Sequence, residues 1–393
     1  MSGREAPRGD SADGAPVVGM IGGGQLSRMT AAAAAALGIG FRVLATGTAD
    51  PAAQVVRDTW LGSHDSLQDV LSFAEGCDVI TFDHEHVPGP ILEALEASGV
   101  CVRPGPGALF HAQDKIRMRR ALTDLGQPCP AWCVVTGPAD AVHFAGSIGW
   151  PIVLKVSRGG YDGRGVWVVR TPDEVHEVMA IAPPEGVEWL AEQFVPFVRE
   201  LSAQVARSPH GQAVSYPVVQ TRQVEGICAE VIAPAPGLDP ERAVEAQQIA
   251  LQIAGDLDVV GMLAVEMFDT GSQLLVNELA MRPHNSGHWT IEGAITSQFE
   301  NHLRAVLDLP LGDPRVRAQC AVMVNVLGGE VDRLTSAYRH VLARDPGLKV
   351  HLYGKQVRPG RKLGHVTVLG DDPDGLLARG RHAADYFAGR IDE

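Results

Sequence analysis

The chain has 393 residues, 45% of them hydrophobic and 20% charged, which is too much for one ordinary core and suits a globular enzyme of two or three packed units. No apolar run approaches the roughly 20 residues that a membrane span needs, so a soluble protein with no membrane partner is expected. Lys and Arg number 33 against 47 Asp and Glu, a net charge of -14 that repels a polyanion and argues against nucleic acid, while a local basic cluster still suits a small phosphorylated ligand.

In chain order, Met1 to Ala15 is rich in Gly, Ser, Asp and Arg and has no apolar stretch. It reads as a disordered tail and not a secretory signal, which points to the cytoplasm. Val17 to Ile21 is a short apolar strand running into Gly22-Gly23-Gly24-Gln25-Leu26 and an Ala-rich helix that stops near Gly38. Strands at Phe41 to Ala45 and Cys77 to Phe82 alternate with a helix at Leu67 to Ala74, as in a doubly wound α/β sheet, so residues 16–112 form the first domain. A second, α+β unit over 113–310 opens with a helix between Gln113 and Gly126, for which Asp114 is the expected N-cap. There follow a hairpin of Ile152 to Ser157 and Val166 to Arg170 around a glycine-rich loop, and strand-like runs at Glu192 to Val195, Leu201 to Ala206, Met262 to Phe268 and Leu274 to Leu279. Pro240 to Asp256 and Ile291 to Leu307 read as helices. Residues 311–393, with strands at Ala321 to Leu327 and His365 to Leu369 and a basic loop between them, form a small C-terminal domain. The six cysteines (Cys77, Cys101, Cys129, Cys133, Cys228, Cys320) are scattered and lack zinc-site spacing, so reduced structural thiols are expected.

Several runs bear chemistry. The Gly22-Gly23-Gly24 turn has Ser27 where a dinucleotide fingerprint ends in glycine, and no acid closes the second strand, which disfavours NAD. Its amides suit an anion or phosphorylated sugar, with a tight strand-to-helix turn as the plainer alternative. Lys155 ends an apolar strand before Gly159, Gly160, Gly163 and Gly165, so a lysine charge and close-approaching amides converge on one loop that can close over phosphates; a solvent-exposed hairpin would leave Lys155 unexplained. If the strands holding Glu266 and Glu278 pair as a hairpin, the two carboxylates share a face, with Asn277 at the strand end. Two adjacent carboxylates repel unless a cation sits between them, and hard oxygen ligands suit magnesium on nucleotide phosphates. Arg282-Pro283-His284-Asn285-Ser286-Gly287-His288 is a polar loop in which Arg282 would face a transferring phosphate or a carboxyphosphate. Tyr353 to Lys362 concentrates positive charge, either as a solvated loop or as a phosphate-monoester site. His84-Glu85-His86 has the residue types of a metal site, but neighbours on an extended chain point apart, so Glu85 reads as a ligand contact instead.

Gly-Gly-Gly-Gln-Leu at 22–26, Gly-Gly-Tyr-Asp-Gly-Arg-Gly at 159–165, Glu-Gln-Phe-Val-Pro-Phe at 192–197, Arg-Glu-Leu-Ser at 199–202, the 282–288 loop, Thr-Ser-Gln-Phe-Glu at 296–300 and Tyr-Gly-Lys-Gln-Val-Arg-Pro-Gly-Arg-Lys at 353–362 together resemble the N5-carboxyaminoimidazole ribonucleotide synthase family. This is the ATPase subunit of phosphoribosylaminoimidazole carboxylase in purine biosynthesis. The resemblance implies an ATP-grasp fold with an N-terminal Rossmann-like (pre-ATP-grasp) domain and a small C-terminal domain. It also implies a homodimeric ligase that uses ATP, Mg2+ (or Mn2+) and bicarbonate to carboxylate aminoimidazole ribonucleotide by way of carboxyphosphate, functionally coupled to the downstream carboxyaminoimidazole ribonucleotide mutase. ATP would lie near Lys115, Lys155, Gly160, Tyr161, Asp162, Gly163, Arg164, Gly165, Val166, Glu192, Gln193, Phe194, Val195, Glu200, Gln223, Asn277 and Glu278, with the metal on Glu266 and Glu278. The ribonucleotide side would take Gln25, Glu85, Tyr161, Arg164, His284, Lys355, Arg361 and Lys362. Arg282, Asp162, Tyr161 and Asn285 would do the chemistry, with Asp162 or a phosphate oxygen receiving the proton. Met281, Gln220 and Gln223 depart from the family pattern. Another ATP-grasp carboxylase or transformylase would share the lysines, flap and carboxylates but not the C-terminal basic loop. A silent nucleotide-binding module would be favoured by loss of one carboxylate, and both are present.

Overall fold

The apolar runs of the first domain are strands closed in on both faces, which is why they show no alternation. In this computed structural model, which describes residues 14–392 apart from 161–164, 182, 225, 330 and 332, β1 (Val17–Ile21), α1 (Gln25–Leu37), β2 (Gly40–Ala45), β3 (Asp58–Leu61), α2 (Leu67–Ala74), β4 (Val79–Phe82) and α3 (Gly89–Ala97) follow in turn. The strands form a parallel sheet in the order β3-β2-β1-β4. Gly38 ends α1 in the left-handed region at φ 68°, where a side chain would be strained. The short strand β3 was not legible in the sequence.

Two helices, α4 (Pro106–Gln113) and α5 (Lys115–Asp124), lead into the second unit. Asp114 caps α5, its Oδ1 accepting from the amides of Ile116 and Arg117. Next come β5 (Trp132–Val135), α6 (Pro138–Ile148), β6 (Ile152–Val156), β7 (Val166–Val169), α7 (Pro172–Met179) and β8 (Trp189–Gln193). They give an antiparallel sheet ordered β5-β8-β6-β7, in which β6 and β7 are the expected hairpin. The strand expected over Glu192 to Val195 is the end of β8 and stops at Gln193.

The remaining elements build one large sheet. They are β9 (Arg199–Arg207), β10 (Ala213–Ser215), β11 (Val219–Val224), β12 (Ile227–Ala233), α8 (Pro240–Asp256), β13 (Gly261–Asp269), β14 (Leu274–Ala280), a 3-10 turn at Asn285–Gly287, α9 (Thr290–Gly293), α10 (Gln298–Val306), β15 (Cys320–Leu327), α11 (Tyr338–Arg344), β16 (Lys349–Leu352), β17 (Lys362–Gly370) and α12 (Pro373–Ala388). The order is β14-β13-β9-β11-β12-β15-β17-β16, with β10 paired to β9. The C-terminal strands thus extend the sheet that carries β13 and β14. The single helix expected over Ile291 to Leu307 is two helices: Ala294 is extended, and Ser297 caps α10 by accepting from the Glu300 amide. The largest core joins α2 to α4 with α8 and the inner faces of β9, β13 and β14, so the first domain is fixed against the sheet that bears the acidic pair. Among the described residues no helix is long and apolar enough to cross a membrane.

Candidate active site

Lys155, near the end of β6, belongs to one of two cation-carboxylate clusters at the wall of a cleft of about 450 Å³. Its Nζ lies 2.6 Å from Glu192 Oε2, while Arg119 on α5 meets the other oxygen at 2.7 Å. Arg119 also donates to the carbonyls of Val276 and Asn277 at 3.1 and 2.8 Å. Burial alone would raise the Glu192 carboxyl, but Lys155 and Arg119 hold it down at about 2. Burial in turn pulls Lys155 below its usual range against the pull of Glu192. This cluster is charge-saturated: each carboxylate oxygen has its own cation.

The second cluster is not. In the β13–β14 ladder Glu266 stands directly across from Glu278, and a bulge follows at once, so that Met267 pairs with Val276 and Asn277 is the extra residue. Asn277 is inside β14 and not at its end; its Oδ1 is 3.4 Å from Lys155 Nζ. Lys115 Nζ reaches Glu278 Oε1 at 3.1 Å and outweighs burial, keeping that carboxyl below its ordinary value. Glu266 feels Lys362 and Arg282, but less than its burial and its acidic neighbours. Burial first, then Glu278 and Glu200, push its carboxyl up to about 8. His284 Nε2 stands 3.7 Å from it, but burial and Arg282 push that imidazole down to about 3, so it is neutral and does not compensate the acid.

The same cleft is lined by Gly160, Val166, Gln193, Phe194, Val195, Glu200 and Gln223, and at its other end by Glu85, Asn285 and Lys362. Of the residues predicted for the nucleotide, Tyr161, Asp162, Gly163 and Arg164 lie outside the described residues, and Gly165 sits behind the lining, at φ 72° with its carbonyl accepting from Val156 N.

A second cleft of about 270 Å³ opens beside it, between the glycine turn and the basic Tyr353 to Lys362 loop, a C-terminal strap, and is lined by Gly22 to Gln25, His64, His84, Lys355 and Arg361. Lys355 Nζ bonds Gln25 Oε1 at 2.6 Å, which brings together two residues 330 positions apart. Arg282 lines neither cleft. Its Nε pairs with Glu85 Oε2 at 2.8 Å across the domain boundary, and its charge also lowers both Glu266 and Glu278. Rings of His84 and His86 stack at 5.1 Å and His64 packs edge-on against His84 at 4.6 Å. Among the described residues no three His, Cys, Asp or Glu are placed to hold a metal alone.

Two site residues escaped sequence reasoning. Arg119 was signalled by its place one helical turn after Lys115, on the same face. Asp83 had no such signal. It is buried at the end of β4, and the amides of Gly24 and Ser27 are directed at it, so part of the helix N-terminus already faces an acid. A Cβ on Gly24 would come within 2.3 Å of Asp83 Oδ2. Burial raises this carboxyl to about 6 in spite of Arg282.

With this geometry in view, likeness to known proteins is informative. The chain matches the ATP-grasp domain over residues 120–299, the ribonucleotide synthetase preATP-grasp domain over 16–113 and the phosphoribosylaminoimidazole carboxylase C-terminal domain over 321–379. It is 52% identical over 378 residues to the N5-carboxyaminoimidazole ribonucleotide synthase of Mycobacterium tuberculosis, covering 95% of this chain and 88% of the relative. To that of Corynebacterium ammoniagenes it is 44% identical, covering 95% and 92%. The crystal structure of the synthetase from Thermus thermophilus superimposes with a TM-score of 0.84 at 39% identity, covering 96% and 99%. An Aspergillus clavatus synthase complexed with ADP and 5-aminoimidazole ribonucleotide gives 0.87 at 32% identity, again covering 96% and 99%.

Proposed function

The chain belongs to the N5-carboxyaminoimidazole ribonucleotide synthase family of ATP-grasp ligases, and from that membership we propose how its own residues divide the work of the reaction. The activity is the ATP-dependent carboxylation of 5-aminoimidazole ribonucleotide to N5-carboxyaminoimidazole ribonucleotide in purine biosynthesis. ATP occupies the larger cleft. Lys115 and Lys155 face its phosphates, and the Gly160 to Val166 flap, which includes Tyr161, Asp162, Gly163, Arg164 and Gly165, covers them. Val195, Phe194 and Gln193 line the base, with Glu200 and Gln223 at the ribose side. Glu192 acts through Lys155, which it holds in place.

The Glu266–Glu278 pair fits a divalent cation. Glu266 is pushed up by its burial first and then by Glu278 and Glu200, a carboxylate with too little positive charge around it, and two carboxylates completed by nucleotide phosphates suit Mg2+ (or Mn2+). Such an ion would supply charge neutralisation at phosphate oxygens.

The ribonucleotide lies across the second cleft, its phosphate toward Lys355, Arg361 and the glycine turn and its amine toward the larger cleft, where Glu85, His284 and Lys362 stand. Bicarbonate attacks the γ-phosphate, releasing ADP and forming carboxyphosphate. Arg282 and Asn285 border that position, and the flap excludes the water that would otherwise destroy the intermediate. The amine nitrogen then bonds to carbon, phosphate leaves, and the N–H proton passes to Asp162 or a phosphate oxygen, with Tyr161 and Arg164 as further ribonucleotide contacts. Positioning and charge stabilisation account for most of the acceleration in such a scheme. The same reading includes a cytoplasmic homodimer that hands its product to the carboxyaminoimidazole ribonucleotide mutase; family resemblance is its support.

The observation that carries the reading is the convergence, on adjoining clefts, of the acidic pair with Lys115 and Lys155 and of the basic strap with the glycine turn. It is tested by phosphate release from MgATP with and without bicarbonate and the ribonucleotide. Release that requires both is expected; release indifferent to the ribonucleotide would assign the chain a different substrate.

A further inference from the structure

The Thr-Ser-Gln-Phe-Glu run at 296–300 has no part in the scheme above, yet it opens α10, whose inner face buries Gln298 and His302 completely. They stand one turn apart, on the same side of the helix. Gln298 Oε1 accepts from the His284 amide at 2.9 Å, and its Nε2 donates to the His284 carbonyl at 2.8 Å and to His288 Nδ1 at 3.1 Å. The His284 N–H identifies which end of the amide is oxygen, so His288 Nδ1 is an acceptor. Gly287 leaves no space to adjust, since a Cβ there would lie 2.3 Å from Gln298 Oε1.

His302 makes the second tie. The Met262 amide donates to its Nδ1 at 3.1 Å, leaving Nε2–H to donate to Thr81 Oγ1 at 2.8 Å. Thr81 lies in β4, four residues before Glu85, and Met262 lies in β13, four residues before Glu266. Neither Gln298 nor His302 lines a cleft.

We infer that Gln298 and His302 are positioning residues that hold the His284 loop, beside the ribonucleotide amine, and β13, which carries Glu266 on the ATP side, in register with the Glu85 end of β4. The inference rests on the site reading above. Its consequence lies in coupling. When register is kept, the amine displaces phosphate from the carboxyl carbon and loses its proton. When register slips, water reaches carboxyphosphate first, and bicarbonate and phosphate form with no carboxylated amine. A small misplacement suffices, because reacting groups must approach within about 3.5 Å.

The experiment measures phosphate released per N5-carboxyaminoimidazole ribonucleotide formed, in the wild-type protein, Gln298→Glu and His302→Leu. The glutamate is isosteric and keeps the bond from the His284 amide while losing both donated bonds. Because the ratio is taken per phosphate, a partly unfolded preparation still reports it. We expect a wild-type ratio near one, a rise of about threefold or more in both variants, and a KM for ATP within about twofold of wild type. A ratio unchanged from wild type in both variants, with only the total rate reduced, would reduce both side chains to structural ones and overturn the inference. A wild-type protein that consumes ATP and forms no carboxylated product would overturn the site reading and this inference with it, and is distinguished by the wild-type measurement alone.

Discussion

Two carboxylate clusters line the same wall of the larger cleft and differ in one respect. Glu192 is sealed, 2% accessible, with a cation on each oxygen, whereas Glu266 and Glu278 are 22% and 45% accessible through their side chains, and the lysine that pairs with Glu278, Lys115, leaves Glu266 raised. A saturated cluster has no valence left for a ligand and can only hold its own cations in place. The unsaturated one is incomplete by itself and gains from an arriving cation. The difference separates scaffold from chemistry more sharply than burial does, since both clusters are walls of one cavity.

The largest effect should come from the unsaturated cluster. Glu278→Gln should lower turnover by about 1000-fold or more, in the range of losing a key charge-stabilising group, while leaving ribonucleotide affinity in calorimetry within about twofold. Equal loss of turnover and of ribonucleotide binding would merge the two clefts into one functional unit and break the comparison. Glu192→Gln should do the reverse. It strands Lys155 and Arg119 without their anion and should cost about 3 kcal/mol of stability, read as a lower denaturant midpoint, with a smaller effect on turnover in whatever protein stays folded. A Glu192→Gln protein as stable as wild type would mean that the cluster is not structural.

Lys155→Met tests the border between the two. Lys155 belongs to the saturated cluster by its 2.6 Å contact with Glu192 but also approaches Asn277 beside the acidic pair. If its second role is to face nucleotide phosphates, KM for ATP should rise by about tenfold or more, roughly what loss of one charge-assisted contact removes, with the ribonucleotide KM little changed. A change in stability alone would assign the lysine wholly to the scaffold.

The saturated cluster was only half visible in the sequence. Lys155 stood out as a charge in an apolar run, but its partner Arg119 was one of several basic residues on a helix, and nothing local announced that it would cross to Glu192. The acidic pair was better marked, since alternation in two strands around a short turn constrains register; the bulge at Asn277 was invisible because one extra residue leaves no compositional trace. Likewise β3 is half-exposed along most of its length and mixes polar with apolar residues, so neither an apolar run nor alternation betrays it, while the buried strands β1 and β4 were plain. The break between α9 and α10 depends on Ser297, whose capping role competes with a helical periodicity that runs through it. Arg282 stood out by its neighbours in sequence, but its partner Glu85, 197 positions away, left no local signal.

The smallest effect is the most diagnostic of sign. In the folded protein Glu266 is raised from 4.5 to about 8, so between those pH values the folded state holds a proton that the unfolded chain has released. Folding stability from this group therefore falls as pH rises through the window. Glu192, lowered to about 2, acts with the opposite sign: its contribution is present above about pH 4.5 and is lost as pH falls toward 2. In nucleotide-free protein without divalent metal, Glu266→Gln should remove the fall between pH 5 and 8, a gain at pH 8 of roughly 1 kcal/mol once screening by cleft water is allowed for. Melting temperatures of wild type and variant across that window, with and without MgADP, measure it. Added MgADP should flatten the wild-type profile, because the cation holds the Glu266 carboxylate ionised, and should raise Glu266→Gln, which keeps Glu278, by an amount that does not vary with pH across the window. Profiles that coincide at every pH would mean that Glu266 is already compensated, and the contrast between the two clusters would lose its physical basis.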